Sequence, residues 1–498
     1  MNTGPRLLHD LLDDAVRRAP GAKALTCRGH TLTYGELGSA SIRMARRLHE
    51  EGVSRGERVV VKSEDGLATA ALVYAASRLG AVFSVLHEQV RGEPLVHVLE
   101  DAEPTLVISD DPEARTTAAE HGVRGLDSGG LVEDALRTGE PLPDLPEDLV
   151  LAVDPICLIY TSGTTSLPKA VVSTHQQVVF SAAAIQQCLR YRDDDVVYCP
   201  LPLSFDYGLY QLFLATAAGA HLWLGTVAES GPPLLKHLEA SGATVLPGVP
   251  SVSDRLAWLL RRSSSKPERL RLLTNTGAAL SDTTTRRLRE SLPGLRIQLM
   301  YGLTECKRAA IMPPDGDLER PGSSGKALPG TEITVIGDDG ERLPPGELGQ
   351  FVVRGPHVMA GYWRRPELDA ERFHRGEGLF PELRTGDYGW QDDDGYVYFS
   401  GRRDDIYKER GFRVSATEVE AAARRVDGVR SAAVLPPEDR RPALLAVESG
   451  LDGEQVLERM REHIEAFKIP RRCVRLDELP TNANGKFDRK RIAVLAEA

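Results

Sequence analysis

Between Thr33 and Gly52 the stretch TYGELGSASIRMARRLHEEG sets Leu37, Met44, Ala45 and Leu48 near one face of a 3.6-residue period. That spacing predicts an amphipathic helix, with Gly52 suited to a left-handed residue at its end. RVVVKS then forms a short apolar run, LATAALVYAASRLG a longer one and AVFSVL a third. Strand, helix and strand in that order predict a βαβ unit and a parallel sheet covered by helices. The alternation recurs through PTLVISD, DVVYCPLPL, HLWLG, TVLPGV and RLLTNTG, with no short repeat. After about Gly330 the pattern shifts to period-two strands broken by glycine and proline, in TEITVIGDDGERLPPGELGQFVVRG and GWQDDDGYVYFSG, which predicts an antiparallel subdomain. Beyond GRRDDIYKERG come a helix over 416–425, strands in SAAVLP and RPALLAVES, and a helix from Gly453 to near Phe467. The fold class is therefore α/β with a β-rich subdomain, a large domain over residues 1–403 and a small α+β domain over 404–498.

Length supports that division, since 498 residues exceed the usual ~100–200 of one domain. The balance of 72 acidic against 61 basic residues, net −11, argues against a nucleic-acid partner and against a membrane surface. The amino terminus lacks the continuous apolar segment of a secretory signal, and Arg78 and Gly80 interrupt the longest apolar run. Six scattered cysteines without a CxxC pair suit reduced thiols in a cytoplasmic protein, with no structural metal expected. Cys306 is expected to be a packed thiol, and none of the twelve histidines is given a catalytic role.

The first chemically distinctive stretch is YTSGTTSLPKAVVSTH, Tyr160–His175. ICLIY and AVVS are strand-like, and Thr174 with Gln177 forms a capping box for a following helix. The polar loop between them joins two strands and lacks the GxxxxGK[ST] spacing of a strand-to-helix phosphate loop. Backbone N–H groups with the hydroxyls of Thr161, Ser162, Thr164 and Thr165, the turn at Gly163 and the charge of Lys169 are still suited to a polyphosphate. GSSGKALPG at Gly322 is a weaker imitation, with glycines too close together and Ala327 where a metal-binding hydroxyl is needed.

Four further motifs follow in order: MYGLTE (Met300–Glu305), RTGD (Arg384–Asp387), GRRDD (Gly401–Asp405) and NGKFDRK (Asn484–Lys490). Together with the Ser/Thr loop they resemble the AMP-forming adenylating enzymes, the superfamily of acyl- and aryl-CoA synthetases, peptide-synthetase adenylation domains and luciferases. The resemblance runs nearly end to end, and it implies ATP and Mg2+ as cofactors. By resemblance, Thr161–Lys169 hold the phosphates, Tyr301 lies near adenine, Asp387 accepts from the ribose hydroxyls and Arg402 is a second ribose or phosphate contact. Glu305 is implied as the Mg2+ ligand, beside Thr304, and Lys486 as the catalytic lysine bridging carboxylate and α-phosphate. Asp404 corresponds to a hinge, and Gly411 to the segment that admits a pantetheine thiol in a second half-reaction. Ser166 and Ala170 depart from the glycines usual in that loop, which predicts altered phosphate handling with activity retained.

The resemblance also implies an acyl pocket built from Phe205, Asp206, Tyr207 and Tyr210, from Thr276 and Gly277, and from Met300 and Arg308. Asp206 falls where amino-acid-activating members hold the substrate ammonium, and equally where aryl-CoA ligases have a wall residue. Lys307 and Arg308 either meet an anionic group of the substrate or pair with an acid such as Asp206. The expected reaction is adenylation of a small carboxylic acid, aryl, acyl or amino, and transfer to a thiol, first of all CoA. A separate carrier protein, an amine acceptor and nitrite activation stay open beside it, as does a non-catalytic nucleotide binder. No carrier segment follows Lys486, so a stand-alone enzyme is expected.

Overall fold

The structure is a computed structural model that describes residues 4–137, 141–142, 144–145, 149–161, 168–226, 228–375, 381–402, 406–409, 412–437, 442–464, 466–481 and 487–497. The chain packs as two units, Met1–Ile333 with Val353–Arg384, and Thr334–Val352 with Thr385–Ala498.

Among its described residues the first unit holds a nine-stranded and a seven-stranded sheet. In one, the strands Val196–Cys199, Val245–Gly248, Leu272–Asn275 and Arg296–Tyr301 are neighbours in a nine-stranded sheet and run parallel. In the other, of seven strands, Arg58–Lys62 pairs in parallel with Val82–Val85 and Leu106–Ser109, the βαβ arrangement expected from RVVVKS onward. This second sheet changes character at one side, where Pro155–Thr161 and Lys169–Thr174 form an antiparallel hairpin. The polar loop thus joins two strands, as its sequence predicts. The capping box is present, with the Thr174 side chain accepting from Gln177 N–H.

Two helices, Gly66–Leu79 and Asp206–Ala218, are buried over nearly all of their residues. A helix apolar on every face is a core helix, and these two are joined by the Tyr74 hydroxyl donating to Thr216 Oγ1 at 2.9 Å. Burial of so much of Asp206–Ala218 places its first residue, a carboxylate, inside the protein. The helix Tyr34–Glu50 buries Leu37, Met44, Ala45 and Leu48, and Gly52 follows with φ +91°. The segment at Gly322 is a turn into the two-residue strand Lys326–Ala327.

In the second unit, Asp387–Gln391 pairs antiparallel with Val397–Arg402. The helix Ala416–Arg425 and the strands Val429–Leu435 and Leu444–Ser449 occur where the sequence places them. The following helix is shorter than expected, Gly453–Met460, with a separate 3-10 turn at Ala466–Lys468. Val456 and Met460 are its buried members, and Ile464, beyond the helix end, is buried in the same cluster. Among the described residues no helix is long and apolar enough to cross a membrane.

Candidate functional site

The carboxyl ends of parallel strands are where an open α/β sheet presents ligands with loops, and the pocket residues gather there. Phe205 and Asp206 follow the strand Val196–Cys199, Thr276 and Gly277 follow Leu272–Asn275, and Met300 and Tyr301 end Arg296–Tyr301. Gly277 has φ +89°, which lets the chain turn at the strand end. Phe205 is half exposed, at 38 %, whereas Tyr207, Tyr210, Thr276, Met300 and Tyr301 are buried. The Tyr207 hydroxyl and Thr274 Oγ1 lie 2.6 Å apart, tying the core helix to the neighbouring strand. Thr304 is only partly buried in the loop that follows.

Three charged side chains are buried together at this end of the sheet. Asp206 begins its helix, in the first turn where the helix dipole favours a negative charge. Arg308 approaches it at 3.9 Å, stacks 4.4 Å from the centre of the Tyr207 ring and donates to the Lys307 carbonyl at 2.6 Å. Lys307 is 1 % exposed, and among the described residues its Nζ has no hydrogen-bond partner. Burial pushes the Lys307 ammonium down from its ordinary pKa, and the negative charges at Asp206 and Glu305 oppose that shift only in part. Its backbone is left-handed, φ +61°, an uncommon conformation for a long side chain. Close packing holds it there, since a Cβ on Gly302 would lie 2.2 Å from the Lys307 oxygen. The Lys307 Nζ lies 5.7 Å from the centre of the Tyr210 ring, and a buried ammonium without a hydrogen-bonded acceptor costs several kcal/mol.

The hairpin of Pro155–Thr161 and Lys169–Thr174 carries the base of the Ser/Thr-rich loop. Thr161 and Lys169 are paired across the strands, and Lys169 Nζ sits 4.0 Å over the ring of Tyr362. Ser162, Gly163, Thr164, Thr165 and Ser166 lie outside the described residues. Glu305 is held twice by a single segment. Met359 N–H donates to its carbonyl at 2.8 Å, and the Tyr362 hydroxyl donates to its Oε1 at 2.6 Å. Burial, and then the Glu305 carboxylate, raise the Tyr362 hydroxyl well above its ordinary pKa, so it remains a donor. A hard carboxylate oxygen is a fitting Mg2+ donor, and with Oε1 engaged Glu305 has a second oxygen to offer.

In the second unit, Asp387 and Arg402 face each other across the antiparallel pair, with Arg402 Nε 3.2 Å from Asp387 Oδ1. The Thr385 hydroxyl accepts from Asp387 N–H at 3.0 Å and donates to the Phe351 carbonyl at 2.8 Å. Asp387 is buried, and Arg402 is exposed. Asp404, Gly411 and Lys486 lie outside the described residues.

Sequence reasoning missed Tyr362 and the segment around it. The signal was the triplet Gly361, Tyr362 and Trp363 after an apolar strand, because a buried tyrosine needs a partner for its hydroxyl. It also missed His357, which is fully buried against Phe180, with ring centroids 6.4 Å apart.

Residues 12–363 match the family described as AMP-binding enzyme, and residues 418–486 match the AMP-binding enzyme C-terminal domain. The chain is similar to feruloyl-CoA synthase of Amycolatopsis sp, 30 % identical over 95 % of each chain. It is similar to L-proline–[L-prolyl-carrier protein] ligase of Streptomyces coelicolor, 29 % identical over 93 % of this chain and 92 % of that one. Among solved structures, VinN in complex with L-aspartate superposes with a TM-score of 0.72, at 40 % identity over 79 % of this chain and 98 % of that one.

Proposed function

This chain belongs to the AMP-binding enzyme family, and from that premise we propose that it adenylates a small amino acid bearing a second carboxylate and passes it to a thiol. In the first step a carboxylate oxygen of the acid attacks the α-phosphorus of ATP, the bond to the β-phosphate oxygen breaks, and pyrophosphate leaves an acyl adenylate. In the second, the thiol sulfur attacks the acyl carbon and AMP departs with the bonding pair.

Both anions of the first step need neutralising along the line of attack. We assign that to Lys486 at the reacting oxygens and to Lys169 with the hydroxyls of Thr161, Ser162, Thr164 and Thr165 at the phosphates. Glu305, beside Thr304, would hold Mg2+, which would supply positive charge to offset that of the phosphates. Asp387 and Arg402 would hold the ribose, and Gly411 would admit the thiol arm after movement at Asp404.

The observation that carries the substrate reading is the buried cluster of Asp206, Lys307 and Arg308. Asp206 offers a carboxylate to a substrate ammonium, while Lys307 and Arg308 offer two cations to a carboxylate that is not the reacting one. The similarity to VinN, whose structure contains L-aspartate, supports the same substrate class. An amino-acid substrate favours the pantetheine thiol of a carrier protein, as in the similar prolyl-carrier ligase. A second reading is CoA ligation of a dicarboxylic acid without an amine, favoured by two buried cations facing one anion.

The test is pyrophosphate release with hydroxylamine trapping, using aspartate, glutamate, β-alanine, alanine, succinate, benzoate and a fatty acid, with Lys486→Ala as background. Aspartate or glutamate ahead of both β-alanine and succinate is the expected result. Succinate ahead of every amino acid supports the CoA reading, and benzoate or a fatty acid in front refutes the amino-dicarboxylate assignment. If no carboxylate rises above background, adenylation of these acids is ruled out and nitrite becomes the substrate to test.

A further inference from the structure

We propose that Tyr362 is a positioning residue that orients Glu305 for Mg2+ and ties it to the strand carrying Lys169. The inference rests on the reading of Glu305 as the metal ligand.

The geometry is built from one short segment. Gly361 and Tyr362 pair antiparallel with Val172 and Val171 of the strand that begins at Lys169. Ala360 N–H donates to the Val172 carbonyl at 3.0 Å, and Trp363 N–H to the Ala170 carbonyl at 2.9 Å, so Tyr362 is registered against that strand on both sides. Its ring is braced by Phe373, edge to face at 5.4 Å between centroids, and its N–H donates to Asp369 Oδ1 at 2.6 Å. Gly361 permits this, because its φ is +139° and a Cβ there would lie 2.6 Å from the Asp369 carboxylate.

A side chain so constrained has two faces with separate tasks. The ring face carries Lys169 at 4.0 Å, and the hydroxyl donates to Glu305 Oε1 at 2.6 Å. Met359 N–H secures the Glu305 backbone from the same segment. Glu305 therefore presents its second oxygen in a set direction, and the lysine and the metal ligand are held in register by a single aromatic residue. Charge-assisted bonds of this kind are about twice as strong as neutral ones, so their loss is measurable.

The experiment is ATP affinity measured by calorimetry on the full chain without acid substrate, once with excess Mg2+ and once with a chelator. The ratio of the two affinities reads the contribution of the metal, independently of turnover. Tyr362→Phe keeps the ring beneath Lys169 and removes only the hydroxyl. We expect its affinity in chelator to match the parent, and its Mg2+ ratio to fall by about tenfold, the scale of one hydrogen bond to a charged group. Glu305→Gln should lower the ratio at least as far, and the double variant no further than Glu305→Gln alone. A parent-like ratio in Tyr362→Phe, or additive losses in the double variant, would overturn the inference while leaving Glu305 as ligand. A parent-like ratio in Glu305→Gln would instead remove the metal reading, and the inference with it.

Discussion

Asp206 and Arg308 meet at 3.9 Å inside the pocket, each nearly buried, although 102 positions apart in sequence by the difference of their residue numbers. The distance is long for a tight ion pair, and it leaves the carboxylate able to accept a substrate ammonium. Asp206→Asn removes that charge from beside Arg308 and leaves Glu305 as the acid opposing Lys307. Truncating one partner of a buried charge pair costs roughly 2–5 kcal/mol, so kcat/KM for an amino-acid substrate should fall at least 30-fold. Succinate should suffer less, and pyrophosphate release with both acids measures the difference.

Lys307 makes the opposite prediction for stability and for function. Lys307→Met removes a buried ammonium that has no hydrogen-bond partner among the described residues, so the variant should melt at a higher temperature at neutral pH, and on the proposed reading it should discriminate less between acids with and without a second carboxylate. The sign follows from linkage. The folded protein holds the Lys307 proton less tightly than the unfolded chain does, so its contribution is unfavourable at low pH and becomes less so as pH rises toward the ordinary lysine value. The advantage of Lys307→Met should therefore shrink as pH rises toward about 10, which melting curves across pH would show.

Gly302 is where the loop geometry is tested. Gly302→Ala sets a methyl against the Lys307 carbonyl at 2.2 Å, backbone against side chain, with Arg308 Cα 2.8 Å away. Overpacking of this kind costs about 1–3 kcal/mol. The denaturation midpoint should drop accordingly, and selectivity between aspartate and β-alanine should weaken as Lys307 is displaced.

Two buried histidines predict an acid limit. Burial lowers His175 and His357 to about 4. The unfolded chain takes up those protons near the ordinary value of ~6.5, so stability is complete above that pH and is lost as pH falls through about 4, by up to about 3 kcal/mol for each group. Replacing His357 with Gln should flatten the acid limb of the stability curve by one proton, which urea titrations at stepped pH values measure.

The motifs were legible because their chemistry is local. A glycine- and threonine-rich loop between two apolar strands is visible in the order of its residues, and so is the Thr174–Gln177 cap that follows it. The period of the apolar positions likewise gave the βαβ units, since the two sides of a helix or strand are set by spacing alone. Tyr362 was not legible, because its partners Glu305 and Lys169 are distant in sequence and only the pairing of Gly361 and Tyr362 with Val172 and Val171 brings the three together. The end of that helix was overestimated, because Ile464 continues the apolar period of Val456 and Met460 and is buried with them, although the regular helix stops at Met460.

By itself, then, the sequence determined the family, the α/β class and the order of the chemical loops, all properties of neighbouring residues. It left Asp206 equally an ammonium partner or a wall, and Arg308 open between a substrate contact and an ion-pair partner. Tertiary structure decided their setting by burying Asp206 at the start of a core helix and bringing Arg308 beside it. It also buried Lys307 with no hydrogen-bond acceptor for its ammonium among the described residues. The physical reason is desolvation. The energy of a charge depends on what surrounds it in space, and those surroundings come from elements that the chain order does not place side by side.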